Sequence, residues 1–242
     1  MLGILVALLS GGAVAAALIF GVGLSTAYAV FTGFIIAAIV YIIIFRSVSK
    51  KVTAGMEIVQ RDMQGQRVEK AIKTLEGLLR FAPWQIYLKG QLTAQIGAIY
   101  YLKRDFKLAF EYLSTSFSKH WAGTGMLAVC YMRKNKTSEM IKTFEKAVMV
   151  NKKEPVIWEL YAFCLDKIGE HAKAIEVLEK GIKKVGGHET MEANLAALKA
   201  GRKQKMKPYG DLWYQFHLEK QGALIKQQTK ALTGRKKTIV RR

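Results

Sequence analysis

The first 45 residues of the chain carry no charged side chain, and this apolar run limits the possible folds more than any other feature of the sequence. As a single helix it would be about 67 Å long, whereas the hydrocarbon core of a bilayer is roughly 30 Å thick. Residues 21–26 interrupt the run with two glycines, a serine and a threonine, which favour a turn. The run therefore predicts a hairpin of two membrane-spanning helices, residues 2–20 and 27–45, each about 28 Å long.

Small residues at four-residue spacing indicate where the two helices of the hairpin pack together. They are Ala13, Ala17 and Gly21 in the first helix, and Gly33 and Ala37 in the second. Residues without bulky side chains let membrane helices approach closely. We expect these positions to form the contact between the two helices.

Charge predicts the orientation of the hairpin. Arg46, Lys50 and Lys51 directly follow the second helix, and the connecting turn is uncharged. By the positive-inside rule the turn is translocated and the rest of the chain stays in the cytoplasm, which predicts an integral protein of the bacterial inner membrane. The alternative is a cleaved signal peptide, because residues 27–29 (Ala-Tyr-Ala) resemble a cleavage site; sixteen apolar residues would then remain after cleavage.

Beyond Arg46, apolar residues recur at the three- and four-residue spacing of helices, and residues 155–188 form the clearest repeated unit. Small residues in such a unit let two antiparallel helices approach, and large residues fill the adjacent groove. Counted from Pro155, the large residues at positions 4, 7, 11 and 24 are Trp158, Tyr161, Leu165 and Leu178. The small residues at positions 8, 20 and 27 are Ala162, Ala174 and Gly181.

This pattern resembles the tetratricopeptide repeat, a helix–turn–helix unit of 34 residues. Residues 121–154 match it except at position 20, which is Met140; Gly97 and Ala109 fit a third unit, and Ala71 and Pro83 fit the second helix of a fourth. The resemblance implies a right-handed α-solenoid of about 3.5 repeats, capped by a helix over 191–199. Residues 52–64 are candidates for the missing first helix, although a glycine at position 55 lowers helix propensity there.

The resemblance also implies a partner-binding groove, because tetratricopeptide proteins bind peptides or helices along the concave face formed by their first helices. The positions that face this groove in the family are 2, 5, 9 and 12. In the last complete repeat they are Val156, Glu159, Phe163 and Asp166. Small and apolar linings suit an apolar peptide or helix. The groove candidates of the whole chain are Tyr101, Val129, Met132, Phe163 and Asp166. Whether this groove is open or filled by the C-terminal tail is left open by the sequence.

The C-terminal tail is strongly basic, with 13 Lys or Arg and 2 acidic residues over 199–242. Apolar residues from Leu212 to Ile225 predict a basic amphipathic helix. Anionic lipid headgroups are the partner favoured first, and an acidic protein or the solenoid itself second. A passive tail is the third alternative, and nucleic acid is the last, because no recognised nucleic-acid motif is present. The candidates for contact with the membrane surface or a docking partner are Arg46, Lys50, Lys51, Trp213, Arg235, Lys236, Lys237, Arg241 and Arg242.

The sequence offers no constellation for catalysis. The four histidines, at positions 120, 171, 188 and 217, are far apart and form no metal-binding helix pair, so we expect neither a metal nor a cofactor. Cys130 and Cys164 occupy position 10 of adjacent repeats, too far apart for a disulfide, and indicate a reducing compartment.

Together these features predict an all-α protein with a transmembrane hairpin (1–45), a tetratricopeptide-like solenoid (46–204) and a basic helical tail (205–242). The function favoured is a non-enzymatic, membrane-anchored scaffold that binds protein partners at the cytoplasmic face of the membrane. The alternative is a structural subunit of a large membrane assembly, such as a secretion or motility machine. A membrane-associated nucleic-acid-binding regulator is the third and least favoured hypothesis.

Overall fold

The computed structural model describes residues 1–116 and 120–219, which contain helices and no strand. Two short 3-10 segments, Leu79–Trp84 and Lys207–Tyr209, separate some of the helices. The all-α fold class is confirmed. The helices are α1 (Leu2–Val22), α2 (Thr26–Gln64), α3 (Val68–Leu78), α4 (Leu88–Leu102), α5 (Phe106–Ser114), α6 (Trp121–Arg133), α7 (Thr137–Val150), α8 (Pro155–Lys167), α9 (His171–Val185), α10 (Glu189–Lys199) and α11 (Asp211–Tyr214).

Helices α1 and α2 form the N-terminal hairpin, and each is long and apolar enough to cross a membrane. The turn between them begins at Gly23, whose φ of 69° lies in the left-handed region that glycine adopts without steric cost. Large apolar side chains face away from the protein along both helices, such as Phe20 at 88% and Phe34 at 71% exposure. The hairpin therefore presents an apolar surface that water would solvate poorly.

The contact between the two helices uses a different face of α1 from the one expected. A Cβ on Gly11 would lie 2.4 Å from the carbonyl oxygen of Gly33, so the backbones nearly touch at this point. Ala13, Ala17 and Gly21 are exposed, which corrects the prediction for α1. The buried positions of α1 are shifted by two residues from the expected ones, which is about 200° around a helix. Because α1 has small residues on both faces, the sequence pattern did not distinguish the two. The buried small residues are Gly3, Ala7 and Gly11 in α1, and Ala29, Gly33 and Ala37 in α2.

Helix α2 continues unbroken from the apolar hairpin into the repeat region. Its 39 residues span about 58 Å, and its last 19 residues, after Phe45, form the first helix of the first pair. Gly55 lies within this part and does not interrupt the helix. Its lack of a side chain lets α3 pack closely against α2 at this point. A Cβ at this position would lie 2.6 Å from the Cδ2 atom of Leu78.

The described residues divide into two compact units, Met1–Cys130 and the part from Tyr131 onward. In the second unit, Trp158 of α8 packs on Gly181 of α9, where a Cβ would lie 2.9 Å from the indole ring. These two residues hold positions 4 and 27 of their repeat. In the first unit the same two positions are Gly55 and Leu78, so the large and small partners are exchanged while the contact is kept. The three-part domain division, 1–45, 46–204 and 205–242, stays a prediction.

Two glycines of the first unit provide a test of this packing. Gly97 of α4 faces Leu113 so closely that a Cβ would lie 2.7 Å from Cγ and 3.1 Å from the backbone nitrogen, whereas Gly77 of α3 has open space around it. We expect Gly97→Ala to destabilise the protein by about 1–3 kcal/mol through overpacking. Gly77→Ala, the matched control, should stabilise it by about 0.5–1 kcal/mol through helix propensity. Denaturant unfolding of the detergent-solubilised variants measures both values, and equal signs would contradict the assignment.

Candidate functional site

The groove positions of α8 are buried or partly buried in the structure. Val156 is 4% exposed and Glu159 is fully buried, and Phe163 lies on the same side of the helix at a spacing of four residues. The segment 204–219, which follows α10 and is called the docked segment below, covers this face: Gln204 and Tyr209 contact Glu159, and Trp213 contacts Phe163. The sequence leaves undecided whether the groove is open or filled. In the last repeat, the docked segment of the chain itself occupies it.

At the centre of the site is the carboxylate of Glu159. Its Oε1 accepts hydrogen bonds from Nδ2 of Asn194 at 3.0 Å and from the hydroxyl of Tyr209 at 3.5 Å, and its Oε2 accepts one from Nε2 of Gln204 at 3.0 Å. All three donors are neutral. Burial outweighs these hydrogen bonds and raises the pKa of Glu159 from 4.5 to about 7. The carboxyl is therefore poised to change its charge near neutral pH.

Asn194 joins α10 to the docked segment through the backbone of Lys205. Its Oδ1 accepts a hydrogen bond from the Lys205 nitrogen at 2.7 Å, and its Nδ2 donates to the Lys205 carbonyl at 3.3 Å. This amide therefore fixes the start of the docked segment and at the same time orients the carboxylate of Glu159.

Two aromatic residues of the docked segment complete the contact. The ring of Trp213 meets Phe163 edge-on, with centroids 4.8 Å apart at 77°, and Phe216 lies 6.2 Å from Trp213. Trp213 is 1% exposed and Phe216 is fully buried. The indole nitrogen of Trp213 donates to Oε1 of Glu219 at 3.1 Å. Buried aromatic rings in this geometry contribute strongly to the stability of a packed contact.

Basic side chains hold the end of the docked segment by its main chain. Arg133, at the end of α6, donates from Nη2 to the carbonyl of His217 at 2.9 Å. Lys167, at the end of α8, donates from Nζ to the carbonyl of Leu218 at 3.1 Å. Carbonyl groups belong to every polypeptide, so these two contacts do not depend on the side chains of the segment they hold.

The structure brings only one of the predicted groove candidates into this site, which is Phe163. Asp166 instead pairs through Oδ1 with Nδ1 of His171 at 2.7 Å, and this contact raises the pKa of His171. Tyr101 is fully buried against Phe106 of α5, with ring centroids 5.2 Å apart. Val129 is fully buried in α6 and Met132 is partly exposed near its end.

The candidates for contact with the membrane surface have three different outcomes. Arg46, Lys50 and Lys51 are exposed on α2, directly after its apolar part. Trp213 is buried against Phe163, so in this position it does not reach a bilayer, and it corresponds to the alternative in which the tail docks on the solenoid. The predicted amphipathic helix is reduced, within the described residues, to α11 (Asp211–Tyr214), because the segment follows the groove instead of forming a continuous helix. Outside the described residues lie Arg235, Lys236, Lys237, Arg241 and Arg242.

Neither Asn194 nor Gln204 is predicted by the sequence to be a functional residue. One signal was available for Asn194, which interrupts the buried side of α10 between Met191 and Leu198. A polar residue on an apolar helix face is costly unless it finds a partner, and Glu159 interrupts the face of α8 in the same way. Two such interruptions on neighbouring helices indicate a polar pair.

Comparisons with known proteins place this arrangement in a wider context. Residues 125–154 match the family model of the tetratricopeptide repeat. Among solved structures, the chain is similar to one described as the crystal structure of MamA protein, with 18% identity, a TM-score of 0.50, and coverage of 76% of this chain and 95% of that one. A second MamA structure has 19% identity, a TM-score of 0.49, and coverage of 72% and 96%. The first similarity is one of fold, and no curated protein matches the sequence.

The raised pKa of Glu159 predicts a pH-dependent stability that a single substitution removes. The pKa of about 7 in the folded state lies above the ordinary 4.5, so the unfolded chain loses its proton first as the pH rises. This group therefore lowers stability between about pH 4.5 and 7, by on the order of 3 kcal/mol in all. Thermal unfolding from pH 5 to 8 should show a smaller fall for Glu159→Gln than for the unmodified chain. Parallel curves for the two proteins would contradict the assignment.

Adjacent residues of α11 test the docking of the segment. Trp213→Ala should cost about 3–5 kcal/mol of local stability, because a fully buried ring is lost. Leu212, which is 50% exposed, serves as the control, and Leu212→Ala should change stability by less than about 0.5 kcal/mol. Hydrogen–deuterium exchange of peptides covering 204–219 measures the effect. Unchanged protection in Trp213→Ala would show that the ring does not hold the segment.

Proposed function

We propose that this chain, which matches the tetratricopeptide repeat over residues 125–154, is a non-enzymatic scaffold, anchored in a membrane by α1 and α2, that binds segments of partner proteins on the face of α8. The observation that carries this proposal is the docked segment itself. The face of α8 already holds a polypeptide of this chain through Glu159, Phe163 and Lys167. A surface that binds one such segment has the chemistry to bind another.

The contacts of the docked segment define the class of partner. Arg133 and Lys167 hold main-chain carbonyls, Phe163 accepts an aromatic ring, and Glu159 accepts hydrogen bonds from side-chain donors. A partner segment for this face is therefore an irregular peptide with an aromatic residue and an amide, hydroxyl or basic side chain near it. Aromatic anchors in buried pockets supply most of the binding energy in such interfaces.

Anchoring in the membrane is supported by the length and composition of α1 and α2, and by the apolar side chains that they expose. Arg46, Lys50 and Lys51 support an orientation with the repeats in the cytoplasm. In this proposal the bilayer is that of a bacterial inner membrane, and the scaffold recruits its partners to the cytoplasmic side.

Because the docked segment occupies the face of α8, a partner has to displace it. Binding is then a competition between two segments for one surface, and weakening the internal contact strengthens the apparent affinity for the partner. The substitution Trp213→Ala weakens the internal contact without altering any residue of α8. It therefore separates the groove from the segment that fills it.

We expect a photoreactive amino acid at position 163 of the full-length chain to crosslink residues 204–219 in native membranes. With Trp213→Ala, this internal product should decrease and crosslinks to partner peptides should increase, because the aromatic anchor of the segment is lost. Leu212→Ala is the matched control and should leave both products unchanged. Mass spectrometry of the crosslinked peptides identifies them.

Two outcomes would count against the scaffold. If no variant forms crosslinks to other proteins, partner binding at this face is contradicted. Gentle extraction that recovers the chain only within one large complex, whatever residue is at position 213, would favour a structural subunit instead.

A further inference from the structure

The connection between α3 and α4, residues 79–87, lies against the ends of both helices of the hairpin. Gly3 of α1 faces the carbonyl of Trp84 so closely that a Cβ would lie 2.8 Å from the oxygen. Gln85 donates from Nε2 to the carbonyl of Phe45 at 3.2 Å and to Oγ of Ser49 at 2.7 Å. The connection therefore lies where the apolar part of α1 begins and that of α2 ends.

This connection has the composition of a segment at a membrane–water boundary. Phe81 and Trp84 are partly buried against the core of the first unit, whereas Ile86 is 40% and Tyr87 is 62% exposed. Aromatic residues with one apolar and one polar side are enriched at the level of lipid headgroups. An exposed isoleucine beside them gives the segment an apolar edge at the end of the hairpin.

The charged residues within 79–89, Arg80 and Lys89, are both basic. Arg80 and Lys51 lie over the ring of Phe81, at 4.8 and 5.8 Å from its centroid. No Asp or Glu occurs in residues 1–56 or 77–104, so the acidic residues of the first unit lie elsewhere along the chain. The basic residues on these two stretches near the hairpin end are Arg46, Lys50, Lys51, Arg80 and Lys89.

The end of α2, the start of α3 and the end of α4 lie away from the hairpin. Helix α2 continues about 28 Å beyond Phe45, α3 returns toward the hairpin, and α4 leads away from it again. An ion pair between Lys103 and Glu69 joins the end of α4 to the start of α3 and confirms that both are at the far end. Leu102, which is 42% exposed, is therefore a control position matched in exposure to Ile86.

From these contacts we propose that residues 79–89 form a second membrane contact, in which Ile86 and Tyr87 enter the headgroup layer and the surrounding basic residues bind anionic lipid headgroups. This inference rests on the proposed membrane anchoring. It adds a surface patch, formed by the first helix pair, that fixes the angle of the repeats above the bilayer. Attraction to anionic lipid is strongest for basic residues close to the surface.

The test uses the full-length chain in vesicles of phosphatidylcholine and phosphatidylglycerol. Cys130 and Cys164, both buried, are first replaced by alanine, and one cysteine is then placed at Ile86, Leu102 or Phe34 and labelled with a fluorophore. Lipids with a nitroxide on the headgroup or deep on the acyl chain quench nearby labels. We expect quenching of the Ile86 label by the headgroup nitroxide, of the Phe34 label by the deep nitroxide, and of the Leu102 label by neither.

The three labels separate the two proposals. If the Phe34 label is quenched but the Ile86 label behaves like the Leu102 label, the second contact is overturned and the anchor is left intact. A Phe34 label that no nitroxide quenches would refute the anchoring, and the second contact with it. Equal quenching at Ile86 and Leu102 would also overturn the proposal, because the contact would then not be specific.

A pair of lysines tests the role of charge. Lys89 and Lys107 are both exposed and both stand second in their helices, but Lys89 lies at the hairpin end and Lys107 at the far end. In vesicles with phosphatidylglycerol, Lys89→Gln should lower the ratio of docked to detached Ile86 label roughly fivefold, the contribution of one basic residue near an anionic surface. Lys107→Gln should leave the ratio unchanged. No difference between the two variants would overturn the assignment to anionic headgroups.

Discussion

The continuity of α2 is the constraint on which the first compact unit depends. One helix of 39 residues forms both the second apolar helix of the hairpin and the first helix of the first repeat pair, with no linker between the two parts. The stack packs on it through Gly55 and Leu78, and the connection before α4 is hydrogen-bonded back to its apolar end through Gln85. A helix with these fixed contacts transmits position rigidly, because its backbone hydrogen bonds resist bending.

In the second unit, the docked segment is held by contacts of unequal quality. The Trp213 ring is buried against Phe163, whereas the carboxylate of Glu159 receives only neutral donors and keeps a raised pKa. A charged group is better stabilised by an opposite charge with good hydrogen-bond geometry than by neutral groups. A competing segment that places a Lys or Arg beside Glu159 therefore gains an interaction that the docked segment lacks.

Local patterns in the sequence predicted the helices, the repeat and its small positions, because these depend on spacing within one element. The turn at Gly23 and the capping helix α10 follow from the same kind of pattern. What the sequence did not predict involves choices between elements: the face of α1 at Gly11, and the burial of Trp213. A tryptophan among lysines is typical of a membrane surface, and only the position of Phe163 across the groove shows that it is an internal ligand. Gly55 is similar, since its low helix propensity is outweighed by a contact with Leu78 that lies 23 positions away.

The unbroken helix through Phe45 and Val52 also limits how this protein can vary. Each added residue in this stretch would turn everything beyond it by about 100° and lift it by 1.5 Å. A single insertion would thus part Gln85 from the Phe45 carbonyl and Trp84 from Gly3, whereas Gly55 and Leu78, both beyond it, would move together. Only insertions close to whole turns, such as seven residues for two turns, would restore the rotational phase, and even these would raise the stack by about 10 Å.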